Sequence, residues 1–519
     1  MTKANAWPPN PSDLVKGRRL DDRPGLPQES RVRLVVFHYH DRPGGVRQVI
    51  SRGLPRLVER LERVSEVVLL MGEVTDPDWV KGLEASLAGL PLRVVTHRDF
   101  GYLSGRDQVL AGEAVEQVHE CLSGPDVLVW AHNLSVGRNV PLLRHLPDWC
   151  AAAGARLWLH HHDWWWDGRW ARWADWQASG LTDLEEALEY SVPVGPHLRH
   201  WCVNQADLAW LQIRAGATAQ WVGNPLPELA YPDKSEVRAV RVWLQALTQG
   251  RRLWLAPVRA LRRKNLAEAL LLAQQQDEPT CLLTTGGPSS PAEVPAWEAL
   301  CAAATRHHWP LVPAVLAQGA RICNPPRRPG LSGIPSLPDL FMAADALVMP
   351  SLQEGFGLPY LEAAALGKPL LARALPDVAS NLAALGCTLP GAYGQLPVAP
   401  GSFDAARESI RLARRWALLR SNLPDELRMD LEPIQAVEGA DFGCLSFEAQ
   451  MEVLQSGARL PSSLPEPQVP FWPAENREDS WADRFFQAPA CPAPPSGESL
   501  MPEVRRRFHY WQQHPLLWP

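Results

Sequence analysis

No apolar run in this sequence approaches the ~20 residues needed to cross a bilayer. The first residues, Met1-Thr2-Lys3-Ala4-Asn5-Ala6-Trp7-Pro8-Pro9, lack the apolar stretch of a secretory leader. The expectation is therefore a cytoplasmic protein without a transmembrane segment. Cysteines are nine, an odd count, scattered and without a Cys-x-x-Cys pair. Neither a disulfide framework nor a cysteine zinc site fits that pattern; free thiols do. Charge of one sign is also scarce. A net charge of −6 over 519 residues provides no global attraction to nucleic acid or acidic lipid, so no nucleic-acid partner is expected.

What is present describes a globular chain of two or three domains, with 46% hydrophobic and 21% charged residues. Prolines, 50 in all, gather before residue 30 and in 461–502, which read as poorly structured arms. Between them, apolar runs alternate with helical patterns, as in a parallel sheet. The first set is 33–40, 67–71, 92–95, 127–130 and 157–159; the second is 252–256, 281–285 and 346–349. The fold class expected is α/β, with two doubly wound Rossmann-like domains facing across a cleft. The division is a disordered arm (1–30), two Rossmann-like domains (31–228 and 229–440), and a tail (441–519) that is Pro-rich and contains helix-like stretches at 445–454 and 504–513.

The most telling stretch is Pro350-Ser351-Leu352-Gln353-Glu354-Gly355-Phe356-Gly357-Leu358-Pro359-Tyr360-Leu361-Glu362. It follows the apolar run 346–349 and opens a helix, with Pro359 suited to the first position and Gly367 to the stop. Strand, glycine loop and helix together form a ligand site in α/β folds. Carboxylates accept hydrogen bonds from paired hydroxyls, amides beside glycine approach a sugar closely, and a helix N-terminus attracts a diphosphate. Gly44-Gly45 after the first strand is a similar anion-friendly turn. Arg259 and Lys264 follow the strand 252–256 and are suited to charge on a departing phosphate, whereas Arg262 and Arg263 read as solvated.

The spacing of Glu354 and Glu362, with Pro-Ser before and Ala-x-x-x-Gly-Lys-Pro after, resembles the E-x7-E signature of retaining GT-B glycosyltransferases, family four in particular. The resemblance implies a hexosyltransferase acting from a nucleotide-diphosphate sugar onto a hydroxyl acceptor, a glycan or small glycoside, with 31–228 the acceptor domain, 229–440 the nucleotide-sugar-binding domain, and either 445–454 or 504–513 a helix that returns to the first domain. It implies that Glu354 and the amides of Gly355, Phe356 and Gly357 hold the sugar, and that Glu362 holds the ribose. Arg259 and Lys264 would hold the diphosphate, with Gly44 and Gly45 closing over it and no metal cofactor. A histidine at the end of the strand 127–130 lies near the reacting centre in such enzymes, which makes His132 a catalytic candidate. A GT-B nucleotide-sugar 2-epimerase and a non-catalytic sugar-nucleotide binder are the alternatives.

Three further features need separate readings. Asp76-Pro77-Asp78 has the letters of a metal-holding Asp-x-Asp, but its proline marks a turn and it is read as a loop. His162, Asp163 and Trp164 are acceptor-side candidates; the Trp164 indole reads either as core or interdomain packing, the favoured reading, or as a stacking platform, and Trp166, Trp170 and Trp173 read as one face of a helix. No metal site is expected at His160-His161-His162. Adjacent strand residues face opposite ways, and no carboxylate or cysteine partner stands at a telling spacing.

Overall fold

The computed structural model describes residues 31–105, 108–124, 126–226, 231–316, 335–428, 439–460, 465–477, 481–486 and 498–518. The expected arm at 1–30 lies outside them. Two parallel sheets carry the chain. The first contains β1 (Val32–His40), β2 (Val64–Glu73), β3 (Leu92–Thr96), β4 (Val127–His132), β5 (Arg156–His161), β6 (Leu198–Cys202) and β7 (Ala219–Trp221), in the order β3-β2-β1-β4-β5-β6-β7. The second contains β8 (Arg252–Ala256), β9 (Thr280–Thr284), β10 (Leu311–Val312), β11 (Ala346–Met349), β12 (Leu370–Arg373) and β13 (Ala392–Tyr393), in the order β10-β9-β8-β11-β12-β13. Both domains of the expected α/β class are thus present.

Burial on both sides explains the near-continuous apolar strands. In the first sheet the pleat divides them cleanly. Val35, Phe37, Val129 and Leu157 enter one core, while Leu34, Val36, Leu128, Trp130 and Trp158 enter the other. The second domain has one core around Trp254, Leu255, Leu270, Leu347 and Leu371.

Each sheet reverses its winding once, between β1 and β4 in the first and between β8 and β11 in the second. Loops leaving the strands on either side of a reversal diverge and open a crevice. Gly44-Gly45 follows β1, His132 ends β4, Arg259–Lys264 follows β8, and Ser351–Gly357 follows β11. The four stretches singled out by sequence therefore end or leave the four strands that flank the two switch points.

Of the two candidate return helices, Phe447–Ser456 stays with the second domain, where Gln450 Nε2 donates to Asn265 Oδ1 at 3.1 Å. The helix Met501–Gln513 returns instead, burying Val504, Phe508 and Trp511 in the first domain. A shorter helix, Trp481–Phe486, covers the other face with Trp481 and Phe485. The described part of 461–502 is not a loose arm. Gln468 bridges Leu370 and Phe471 bridges Thr388, both antiparallel.

Gly53, inside the helix Gly45–Leu61, admits Trp481 so closely that a Cβ there would lie 2.5 Å from its ring. The tryptophan is fully buried and has no room to shift. Gly53→Val is therefore expected to destabilise the first domain by about 1–3 kcal/mol through overpacking. A reduced unfolding midpoint in urea checks this; an unchanged midpoint would show that Trp481 is not seated against this helix.

Candidate functional site

In the second domain, the loop after β8 and the loop after β11 are joined by a buried ion pair between Lys264 Nζ and Glu354 Oε2. Ser351 Oγ donates to the other carboxylate oxygen at 2.6 Å. Only 10% of the Lys264 side chain and 9% of the Glu354 side chain reach solvent. Burial would raise the Glu354 carboxyl, but Lys264, Arg263 and the two hydrogen bonds outweigh it and hold the group below its ordinary range. Burial pulls the Lys264 ammonium down to about 8, against the attraction of Glu354. Arg263 is not merely solvated, since its NH1 donates to the carbonyl of Gln353 at 2.8 Å. Arg262 likewise donates to the carbonyl of Trp518 at 2.9 Å. Arg259 is exposed on the same loop, with no hydrogen-bond partner among the described residues.

Beyond Glu354 the chain turns through Gly357, at φ 94°, into the helix Leu358–Ala365. A side chain at Gly357 would be strained by that φ and would crowd Val378 at 2.9 Å. Phe356 is buried, so the turn is held by its own side chains. Among the described residues, the amides of Gly355, Phe356 and Gly357 donate no hydrogen bond. Three unpaired donors thus stand at a helix N-terminus beside a carboxylate. Glu362 is in the second helical turn, not the first, so complementing the helix dipole does not explain it. Its carboxyl is raised by burial, with Arg52 of the first domain opposing the shift. Nothing in the motif foreshadowed Arg52.

Across the switch point of the first domain, Gly44 and Gly45 border open space. A Cβ at Gly44 would meet nothing nearer than 3.9 Å, and one at Gly45 nothing within 4 Å. Packing within the protein therefore does not demand glycine there. Asp41, fully buried, fixes the loop by accepting from the amides of Thr75 and Asp76, the latter at 2.7 Å. Asp76 in turn caps the helix Pro77–Ala85 through the Trp79 amide and pairs with Arg47 at 2.7 Å. The Asp76-Pro77-Asp78 turn is a helix start.

The remaining candidates divide. His132 is fully buried and its Nδ1 lies 3.1 Å from His162 Nε2, so it meets other histidines and not an open cleft. Asp163, beside half-buried His162, pairs with Arg169 at 3.0 Å. Burial raises its carboxyl, but Arg169 and Arg263 prevail and bring it to about 2. Trp164 corrects the stacking-platform expectation: it is 1% exposed, stacked against His161 and Trp166, and donates to Asp207 at 2.9 Å. An indole so enclosed has no face for a sugar. Trp166 and Trp170 precede the helix Trp173–Ala178, so core packing and not a helical stripe unites these residues.

Lys264→Met would leave the Glu354 carboxylate buried without its cation. The expected loss is about 3–5 kcal/mol, and adding Glu354→Gln should recover part of it by removing the stranded charge. Denaturant midpoints of the single and double variants check this. Equal losses in both would refute the coupling.

Comparison with known proteins adds a partial match and remote likenesses. The sequence model of the family Glycosyl transferases group 1 matches residues 266–391. No curated protein matches the sequence. Among solved structures, Anabaena Alr3699/HepE in complex with UDP and glucose is 15% identical, with 68% of this chain and 82% of that one covered at a TM-score of 0.45. The N-terminal domain of Candida albicans trehalose-6-phosphate phosphatase is 12% identical over 71% and 86%, with a TM-score of 0.47. WaaG, a glycosyltransferase involved in lipopolysaccharide biosynthesis, is 14% identical over 70% and 85%, at 0.44. The segment that bears Glu354 and Glu362 is therefore similar to the glycosyl transferases of group 1, which supports a glycosyltransferase.

Proposed function

We propose that this protein moves a hexose from a nucleotide-diphosphate sugar to a hydroxyl acceptor, with retention at the anomeric carbon. The observation that carries the reading is the Glu354 loop: a fixed, ionised carboxylate followed by three unpaired amides at a helix N-terminus. Hydroxyls of a sugar ring satisfy the carboxylate, and the amides suit the ring oxygens and the adjoining phosphate. Glu362, whose carboxylate accepts no hydrogen bond among the described residues, suits the paired hydroxyls of a ribose.

As the bond from the anomeric carbon to the phosphate oxygen breaks, negative charge grows on the diphosphate and positive charge on the ring. Arg259 and Lys264 offset the first, with Gly44 and Gly45 leaving room for the phosphates. The acceptor proton passes to a phosphate oxygen, and the acceptor oxygen bonds to the same face of the carbon. Retention rests on the E-x7-E resemblance. His162 and Asp163 are the acceptor-side residues in this reading, Trp164 has no part in acceptor stacking, and His132 stands behind the reacting atoms.

Nucleoside diphosphates and their sugars should raise the melting temperature, since a ligand at ~100 times its Kd stabilises by ~2.7 kcal/mol. No shift with any of them would overturn the reading. Glu354→Gln should lose about 10- to 100-fold in kcat with modest change in nucleotide affinity, because its contacts strengthen in the transition state. Glu362→Gln should weaken nucleoside diphosphate binding and leave kcat largely intact. Identical profiles would overturn the division of roles. Transfer should also proceed without added Mg²⁺ or Mn²⁺ and survive brief EDTA, because side-chain cations neutralise the diphosphate. Complete loss restored by either ion would refute that.

A further inference from the structure

One face of the first sheet changes character along its strands. Leu34 and Val36 of β1, Leu128 and Trp130 of β4, and Trp158 of β5 are buried apolar residues. At the C-terminal ends the same face continues as His38 and His40, His132, and His160, with His162 following β5. Residues two apart on a strand share a face. His132 and His160 are direct register partners, and His38 follows the Phe37–Ala131 pair, so it is level with His132. Imidazoles from three adjacent central strands therefore meet at one edge.

Among the described residues, several nitrogens of these rings lack the partners that buried imidazoles ordinarily find. His160 is 1% exposed and neither ring nitrogen has a hydrogen bond. His132, fully buried, has no partner at Nε2. The opposite face supplies the contrast within the same strand. His161 Nδ1 meets Ser135 Oγ at 2.9 Å, its Nε2 meets His200 Nδ1 at 3.0 Å, and His200 Nε2 reaches the Pro193 carbonyl at 2.8 Å. That set is a closed hydrogen-bond network; the other is not.

One ring nitrogen from each of His132, His160 and His162 lies within 4.8 Å of the other two. Tetrahedral metal–nitrogen bonds of ~2.0–2.1 Å place ligand nitrogens about 3.3 Å apart. His132 Nδ1 and His162 Nε2 already stand at 3.1 Å, so only His160 has to close in. We propose that His132, His160 and His162 form a binding site for one divalent transition-metal ion of the zinc class. Three imidazoles are the donor set that zinc, cobalt, nickel and copper favour over magnesium or calcium. A neutral imidazole has one ring nitrogen with a lone pair to give such an ion. Three protein ligands leave a fourth position for water. The sequence argument against a metal considered only His160–His162 and nearby carboxylates or cysteines; the third nitrogen comes from the neighbouring strand, 28 residues earlier than His160.

A second group, Asp441, Cys444 and His514, also clusters, but the Asp441 carboxylate is committed to Arg373 at 2.7 and 3.0 Å. The test distinguishes the two. Full-length protein produced with added zinc should contain about one metal ion per chain. Cobalt-loaded protein should show the visible bands of tetrahedral nitrogen ligation without a thiolate-to-cobalt transition. His162→Ala and His160→Asn should weaken cobalt binding by more than about 100-fold, beyond the 10- to 100-fold of an outer-shell change, while Cys444→Ser should leave it intact. If His160→Asn fails to fold, the unsubstituted protein and His162→Ala decide. Absence of metal with no cobalt bands, binding that survives His162→Ala, or a thiolate band would overturn the proposal.

Discussion

An ammonium and a carboxylate, both withdrawn from water, hold the two working loops of the second domain together. Removing such ions from water costs several kcal/mol each, so the Lys264–Glu354 contact persists only if the loops are placed for it in advance. The surroundings do that. The helix Leu266–Gln274, which starts directly after Lys264 and Asn265, contains Glu268, fully buried and paired with Arg373 of β12. Arg373 is fixed a second time by Asp441, and Tyr393 of β13 donates to Glu268 at 2.6 Å. Asn265 donates to Glu268 at 2.7 Å, while Ser351 anchors Glu354 from its own loop. One charged pair at the mouth of the sheet thus rests on a charged network within it.

The two domains use one device for different ends. Each sheet reverses its winding at its centre, and each reversal exposes two loops. In the second domain those loops carry cations, a carboxylate and unpaired amides. In the first they carry a glycine turn with open space around it, backed by a layer of neutral imidazoles. The contrast in polarity suits a ligand with one strongly charged end.

Much of the second domain's site was legible because its chemistry is local. Ser351, Glu354, the glycines and Glu362 lie within thirteen consecutive residues of one strand–loop–helix unit. The missed readings depend on very short strands and on partners distant along the chain. Strands β7, β10 and β13 are two or three residues long, too short to show a period. The enclosure of Trp164 depends on Asp207 and Trp210, more than forty residues on. Arg263, read as solvated, gains its partner only when the two loops meet. The His132–His160 register, likewise, is a property of strand pairing and not of spacing.

The return of the last helix has a consequence for how the chain is made. Arg507 is buried against Asp167 and Asp207, Phe508 and Trp511 complete the first domain's core, and Tyr510 reaches the Leu352 carbonyl at 2.6 Å. A ribosome delivers these residues only after both sheets and the bridges at Gln468 and Phe471. Until then the first domain, although translated earlier, has an open flank lined by Trp170 and Trp416, while the second domain lacks the contacts of Trp518 with Arg262 and of Tyr510 with Leu352. Vectorial, N-terminus-first maturation is therefore denied to this protein. The half made first is the half finished last, and its exposed indoles must be shielded from neighbours throughout the interval.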